Sequence, residues 1–292
     1  MSEDKILHLN LEKNIYKDAS SDFEGNQLHL SISIDKESVV FSTIDLEHNK
    51  VNSIAQKKHH FSSWVETEID TYNHFFNKIE KLYNYKSVSV SFRNEFFTLI
   101  PYGIFEASKA KSYLELNYNI KFAEQIRADF IYSLNAYCVH YFPENLCLSI
   151  QKIFPTSKIF HHTSVLCEML IRENKFSENT NIYIDIENEN FNLLIFEKSK
   201  LLLCNNYKYE TKEDVLFYFL NAIEQLKIQP MAASVFLLGN SSGQQEIIEL
   251  LKIYSHSDIH YMEITHLEPF TIKNEGDNQD YYTNLTQHLC VL

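Results

Sequence analysis

Residues 181–209 read NIYIDIENENFNLLIFEKSKLLLCNNYKY, from Asn181 to Tyr209. Ile182, Ile184 and Ile186 alternate with Tyr183 and Asp185, which is the two-residue period of a strand. Glu187 to Asn190 is a polar turn, and Phe191 to Phe196 is a second apolar run. Glu197 to Lys200 turns again, and Leu201 to Tyr209 supplies a third strand. Three strands joined by two short turns predict an antiparallel meander. Thr211 is the predicted N-cap of the helix that follows. Its Val215, Phe219, Ala222, Ile223 and Leu226 fall on one helical face, and Pro230 stops it.

The same unit occurs earlier in the chain. Leu28, Leu30, Ile32 and Ile34 alternate, Asp35 to Ser38 turn, and Val39 to Ile44 return. Asp45 to Lys50 turn again, and Val51 to His60 form a third strand. A helix is predicted over 66–83, with Ile69, Tyr72, Phe75, Phe76, Ile79 and Leu82 on one face. Aligning the first bends puts Ser33 opposite Asp185, Asp35 opposite Glu187, and Val39 opposite Phe191. Both units continue into strand and helix alternation. After the first come a strand at Val88, Val90 and Phe92, a strand over 96–100, a helix over 104–116, and strands near 127–134 and 136–142 turning at Asn135. Pro143 opens a helix to about Phe154, Lys158 to His162 is a strand, and Thr163 or Ser164 caps the next helix. After the second come a strand at Ser234 to Leu238, a loop at Gly239 to Gly243, a helix capped by Ser242 and Gln245, and a strand at Ile259 to Ile264. A short helix is expected over 280–287. The fold class is therefore α/β, with mixed sheets covered by helices in two lobes. The expected division is an N-terminal arm over 1–26, a first lobe over 27–175 and a second over 176–292, parted by the polar stretch 174–181.

Composition excludes several classes. The net charge of −13 argues against a nucleic-acid partner, because phosphate binding wants a basic surface. No apolar stretch approaches the length of a membrane span. The opening Met1 to Lys5 lacks a basic start followed by an apolar run, so no leader peptide is expected. The five cysteines are odd in number, lack a Cys-x-x-Cys pair and have mostly apolar neighbours, which reads as reduced thiols in a cytoplasmic protein. Five glycines in 292 residues leave little material for phosphate loops. There is no Walker loop, no Gly-x-Ser-x-Gly elbow and no His-Glu-x-x-His. His161, His162, Cys167 and Glu168 lie close in sequence, but no second cluster has ligand spacing, so no metal site is expected.

Meander, helix, strand, glycine-containing loop and helix, occurring twice, resembles the actin-like ATPase superfamily, a duplicated ribonuclease H-like architecture. The chain also resembles a bacterial domain-of-unknown-function family with that fold, through Thr98 to Pro101, Tyr113-Leu114 and His161-His162-Thr163. The resemblance implies two phosphate turns reading Asp-x-Gly at the first bend of each meander. Here the second is Asp185-Ile186-Glu187 and the first is Ser33-Ile34-Asp35. It implies an adenosine segment with paired glycines, where this chain has Gly239 and Asn240. It implies a C-terminal Gly-Leu-Ala-like string, where this chain has Gln287 to Cys290. Backbone N–H groups hold phosphate where no side chain intervenes. Asp35 and Glu187 would set carboxylates against phosphate oxygens, a repulsion of a few kcal/mol at about 4 Å. No compensating Lys or Arg is evident from the sequence.

The expectation is a degenerate nucleotide cleft at Ser33, Asp35, Asp185, Glu187, Gly239 and Asn240, with no cofactor. The protein would then act through contacts with a protein partner or a second copy of itself, with the lobes in a fixed arrangement. The alternative is an ATP-binding ATPase or kinase, with Mg²⁺ held by Asp185 and Glu187. The expected contact surface is aromatic: Tyr113, Tyr118, Phe122, Phe130, Tyr281 and Tyr282.

Overall fold

Both meanders form as the alternation requires. The computed structural model describes residues 13–17, 27–58, 76–80, 84–120, 125–240, 245–255, 258–270, 272 and 278–291. Strand β1 (Lys13–Lys17) lies within the expected arm and pairs with the edge of the first sheet. The first meander is β2 (Leu28–Ile34), β3 (Ser38–Asp45) and β4 (Lys50–Lys58), all antiparallel. Helix α1 is described over 76–80; the rest of the expected 66–83 helix falls outside the described residues. Strands β5 (Ser87–Phe92) and, further on, β9 (Lys158–His161) add in parallel, giving the order β1-β4-β3-β2-β5-β9.

Between β5 and β9 the chain builds a small three-stranded sheet from β6 (Phe97–Pro101), β7 (Ile126–Ile131) and β8 (Ala136–Tyr141), in the order β6-β8-β7. The helix expected over 104–116 is shorter: two 3₁₀ turns precede α2 (Ala110–Glu115). The turn before β8 is a 3₁₀ turn closed by Asn135 at φ 51°, a left-handed position asparagine tolerates. Helices α3 (Glu144–Ile153) and α4 (His162–Asn174) complete the first half. His161 caps α4 by accepting from the Thr163 N–H, in place of the expected Thr163 or Ser164.

The second half repeats the plan. Strands β10 (Thr180–Ile186), β11 (Asn190–Glu197) and β12 (Lys200–Lys208) form the second meander. Helix α5 (Lys212–Gln225) follows, opened by a capping box between Thr211 and Asp214. Strand β13 (Ala233–Gly239), helix α6 (Gln245–Ser255) and strand β14 (Asp258–Tyr261) complete a sheet of order β12-β11-β10-β13-β14. The expected Ser242 cap lies outside the described residues, and β14 stops short of Ile264. A 3₁₀ turn (Asn278–Tyr281), α7 (Tyr282–Thr286) and a last 3₁₀ turn (Gln287–Cys290) end the description.

The two sheets match position by position. Ser33 lies opposite Val40 and Asp185 opposite Asn192, each one pair in from the bend. On the parallel side, Ile34 pairs with Phe92 and Ile186 with Gly239. Arg93 N–H then donates to Ile34 O as Asn240 N–H donates to Ile186 O, at 2.9 and 2.8 Å. The fold is the two-lobed actin-like ATPase fold that the repeat predicted.

Three apolar layers position the cleft. One packs the first sheet against α1 and α3 through Ile32, Phe41, Phe76, Val90, Leu146 and Ile150. One packs the second sheet against α5 and α6 through Ile184, Leu193, Phe219, Val235 and Leu251. The third lies between halves, where Val165, Leu166 and Leu170 of α4 meet Phe97 and Ile131 on one side and Tyr183, Leu194 and Phe196 on the other. Each such side chain, fully buried, contributes about 1.5–3 kcal/mol of hydrophobic stabilisation.

Candidate functional site

Strand β10 delivers Asp185 to the boundary between the lobes with 1% exposure. Its Oδ2 accepts from Arg93 Nη2 at 2.9 Å, His162 Nε2 at 2.9 Å and Asn192 Nδ2 at 3.0 Å. Burial pushes this carboxyl up, but the Arg93 charge and the His162 contact outweigh it and hold it at about 2. Arg93 Nε also pairs with Glu187 Oε1. One guanidinium from the first lobe thus clamps both carboxylates of the second lobe's Asp-x-Glu bend. His162 opens α4, and burial, with the nearby Arg93 charge, lowers its pKa. With His162 neutral, the cluster carries one positive and two negative charges.

The bend of the first lobe uses its carboxylate differently. Asp35 Oδ1 accepts from the Glu37 and Ser38 N–H groups at 2.6 Å each, and Ser38 Oγ–H donates to its Oδ2 at 3.0 Å. The Asp35 carboxylate is folded onto its own turn. The two bends touch: Asn188 Nδ2 donates to Glu37 Oε2, and Asn240 Nδ2 donates to Asn188 Oδ1 at 2.8 Å. Gly239 sits at φ +75° directly beneath Asp185. A Cβ there would lie 2.6 Å from Asp185 Oδ1 and closer still to Ile186 O, so only glycine fits.

The C-terminal segment fills what remains. Tyr281 to Gln287 and His288 are all buried. Asn284 Nδ2 donates to Ser33 Oγ at 2.9 Å and to Val40 O at 3.3 Å. Gln287 Nε2 donates to Ile32 O and Ser89 O, both at 3.2 Å. The His288 ring sits 5.9 Å from the His29 ring, which is itself bound by Ser87 and Ser89. The cavity left between Ser33, Asp35, Arg93, Asp185, Gly239 and Tyr281–Asn284 measures about 70 Å³. Pockets for nucleotide-sized ligands hold about 300 Å³ or more. A larger hollow of about 1190 Å³ is lined by Asn49 and by residues 259–270, 272 and 278–279. It is lined by none of the six expected site residues.

A second buried network fixes the start of α4. Asp129 Oδ2 accepts from the His161 N–H and from Ser164 Oγ–H, both at 2.7 Å, and its Oδ1 faces His140 Nε2 at 3.3 Å. Burial pushes the Asp129 carboxyl up, but His140 outweighs it and the net shift is downward. The His140 and His161 rings stack at 4.9 Å. Glu168 accepts from Ser133, so His161, His162, Cys167 and Glu168 each face different partners. Among the described residues no cluster of three metal-ligating side chains forms.

Of the six expected site residues, Ser33, Asp35, Asp185 and Gly239 line the small cavity, Glu187 pairs with Arg93, and Asn240 bonds Asn188. Sequence reasoning found no cation, yet Arg93 is the centre of the cluster. The duplication carried the signal: extending the alignment past the fifth strand pairs Arg93 with Asn240. Sequence reasoning also put Tyr281 and Tyr282 on a contact surface, whereas they are 8% and 1% exposed in the cleft. Tyr113, Tyr118 and Phe130 are half-buried, and Phe122 lies outside the described residues. Tyr118 packs edge-on against Phe96. The exposed large apolar side chains of this region are Tyr102, Ile104, Leu116 and Tyr132.

Among curated proteins, none matches the chain. The chain is similar to a crystal structure from Bacteroides thetaiotaomicron, a protein with actin-like ATPase fold and unknown function. The identity is 19%, over 84% of this chain and 94% of that one, with TM-score 0.73. It is also similar to the PilM-PilN type IV pilus biogenesis complex, at 11% identity over 90% of this chain and 98% of that one, with TM-score 0.59. These likenesses are of fold. In sequence, a family profile matches residues 18–257, and the chain belongs to that family, described as Protein of unknown function (DUF3822).

Proposed function

We propose that this protein is a cytoplasmic, catalytically degenerate actin-like scaffold that acts through protein contacts and takes neither ATP nor Mg²⁺ as cofactor. The observation that carries this reading is the self-filled cleft. Arg93 pairs with both Asp185 and Glu187 from within, the two bends touch, and Tyr281–Asn284 line a cavity of about 70 Å³. The cluster's surplus of negative charge opposes a triphosphate as well. The likeness to a PilM-PilN complex supports action through a partner, since there a chain of this fold is seen with another protein. Tyr102, Ile104 and Tyr132, on the 3₁₀ turns that follow β6 and β7, are the side chains this reading assigns to such contacts.

The test is a melting experiment with Mg-ATP. A ligand at about a hundred times its dissociation constant stabilises the folded state by about 2.7 kcal/mol, several degrees for a protein of this size. The expected result with millimolar Mg-ATP is no shift beyond that with Mg²⁺ alone, and no phosphate release. An upward shift of several degrees overturns the reading in favour of an ATP-dependent enzyme.

A further inference from the structure

Two thiols from different lobes face each other in the apolar layer between the halves. Cys167 lies on α4, fully buried, and Cys204 lies half-exposed on β12, the edge strand of the second sheet. Their sulfurs are 3.8 Å apart across a separation of 37 residues. Cys204 pairs in register with Leu194, so its side chain shares the face that packs on α4, together with Leu201 and Tyr183. A disulfide requires about 2.05 Å between sulfurs, which leaves a closure of under about 2 Å for side-chain rotation.

We propose that Cys167 and Cys204 are a redox-reactive pair, converted by a hydroperoxide into a disulfide that staples α4 to the second-lobe sheet. The accessible sulfur reacts first. The Cys204 thiolate attacks one peroxide oxygen, an S–O bond forms, the O–O bond breaks, and the departing oxygen leaves as water or alcohol. The Cys167 sulfur then attacks the Cys204 sulfur. The S–S bond forms, the S–O bond breaks, and hydroxide leaves as water with the Cys167 proton. The two sulfurs give up two electrons, and the peroxide oxygens accept them. The hydrogen bond to Cys204 and burial raise the Cys167 thiol well above the ordinary range. That thiol therefore stays protonated and meets an oxidised sulfur only when one forms beside it. Cys138 and Cys147 are buried, and burial raises both. Burial also pushes Cys290 up, to about 12.

This inference does not depend on the state of the cleft. Joining α4 to β12 would fix the interlobe helix to the second sheet, whatever the cleft contains.

The experiment uses the full chain, reduced and freed of reductant, then treated with excess hydrogen peroxide, alkylated and digested without reduction. Titratable thiols are expected to fall from five to three, with one cross-linked peptide joining Cys167 to Cys204. A thiol reductant should restore all five. Cys204→Ser should abolish both the loss and the cross-link, Cys167→Ala should lose the Cys204 thiol alone and form no cross-link, and Cys290→Ser should leave the cross-link intact. Hydrogen exchange on oxidised wild type, which needs no variant to fold, should slow in both α4 and β12. The proposal is overturned if all thiols survive excess peroxide, if Cys204 goes to sulfinic acid without a cross-link, or if the link joins another pair.

Discussion

Replacing Arg93 by Ala tests whether the interlobe clamp holds the lobes together. Asp185 is 1% exposed and the Arg93 side chain 16%. In the intact protein the Asp185 carboxyl sits at about 2 against an ordinary 3.8. That difference favours the ionised, folded form by about 2 kcal/mol. The group is depressed, so this contribution is present above pH 3.8 and is lost as pH falls toward 2. Without Arg93, burial dominates, with His162 and Asn192 left as partners among the described residues. Removing one partner of a buried pair costs about 3–5 kcal/mol. Arg93→Ala should therefore lower the unfolding free energy by about 3–4 kcal/mol at pH 7.5, read by urea denaturation. The Asp185 pKa in the variant rises, so its penalty shrinks below that raised value: the loss at pH 4 should be smaller than at pH 7.5. Adding Asp185→Asn should recover part of the loss, with a coupling of at least about 1 kcal/mol. A loss below about 1 kcal/mol, with an additive double mutant, would refute the reasoning.

Three further outcomes follow from the same site. Burial and the neighbouring His288 lower His29 to about 3, and burial and His266 lower His288 to about 4. Their contribution is full above pH 6.5 and falls as pH drops toward those values, so each should cost about 2 kcal/mol between pH 6.5 and 5. His29→Gln should flatten that part of the stability profile. Gly239→Ala, at φ +75° and against Asp185 Oδ1, should destabilise by about 1–3 kcal/mol or more, whereas Gly103→Ala, with nothing within 4 Å, should be near neutral. Asn284→Ala removes the bonds to Ser33 and Val40, and should cost about 1–2 kcal/mol and speed proteolysis within 278–291.

The sheets were legible because period and turn are local. Leu28 to Ile34 and Ile182 to Ile186 alternate without interruption, and the bends at Asp35 and Glu187 fall at the same offset. The cap of α4 was missed because His161 is outside the usual Ser, Thr, Asp and Asn set, although its ring nitrogen accepts as their oxygens do. Arg93 was missed because a single arginine after a strand looks like any solvated strand end; only its pairing with residues 92 and 94 positions away makes it central. Tyr281 and Tyr282 carry no periodicity that separates a buried plug from an exposed patch. Tyr281 is buried among Ile44, Val51 and Ile54 and Tyr282 among Leu166, Leu170 and Tyr183, all far earlier in the chain, and no local pattern encodes such distances.

Hydrogen exchange across residues 278–291, in the full chain with and without Mg-ATP, tests most directly whether this segment holds the cleft in place of a nucleotide. The account predicts that the amides of 281–288 are protected as strongly as those of the central strands at Ile32 and Ile184, and that Mg-ATP changes nothing. Rapid exchange of the segment in the free protein, or loss of its protection on adding Mg-ATP, would contradict it.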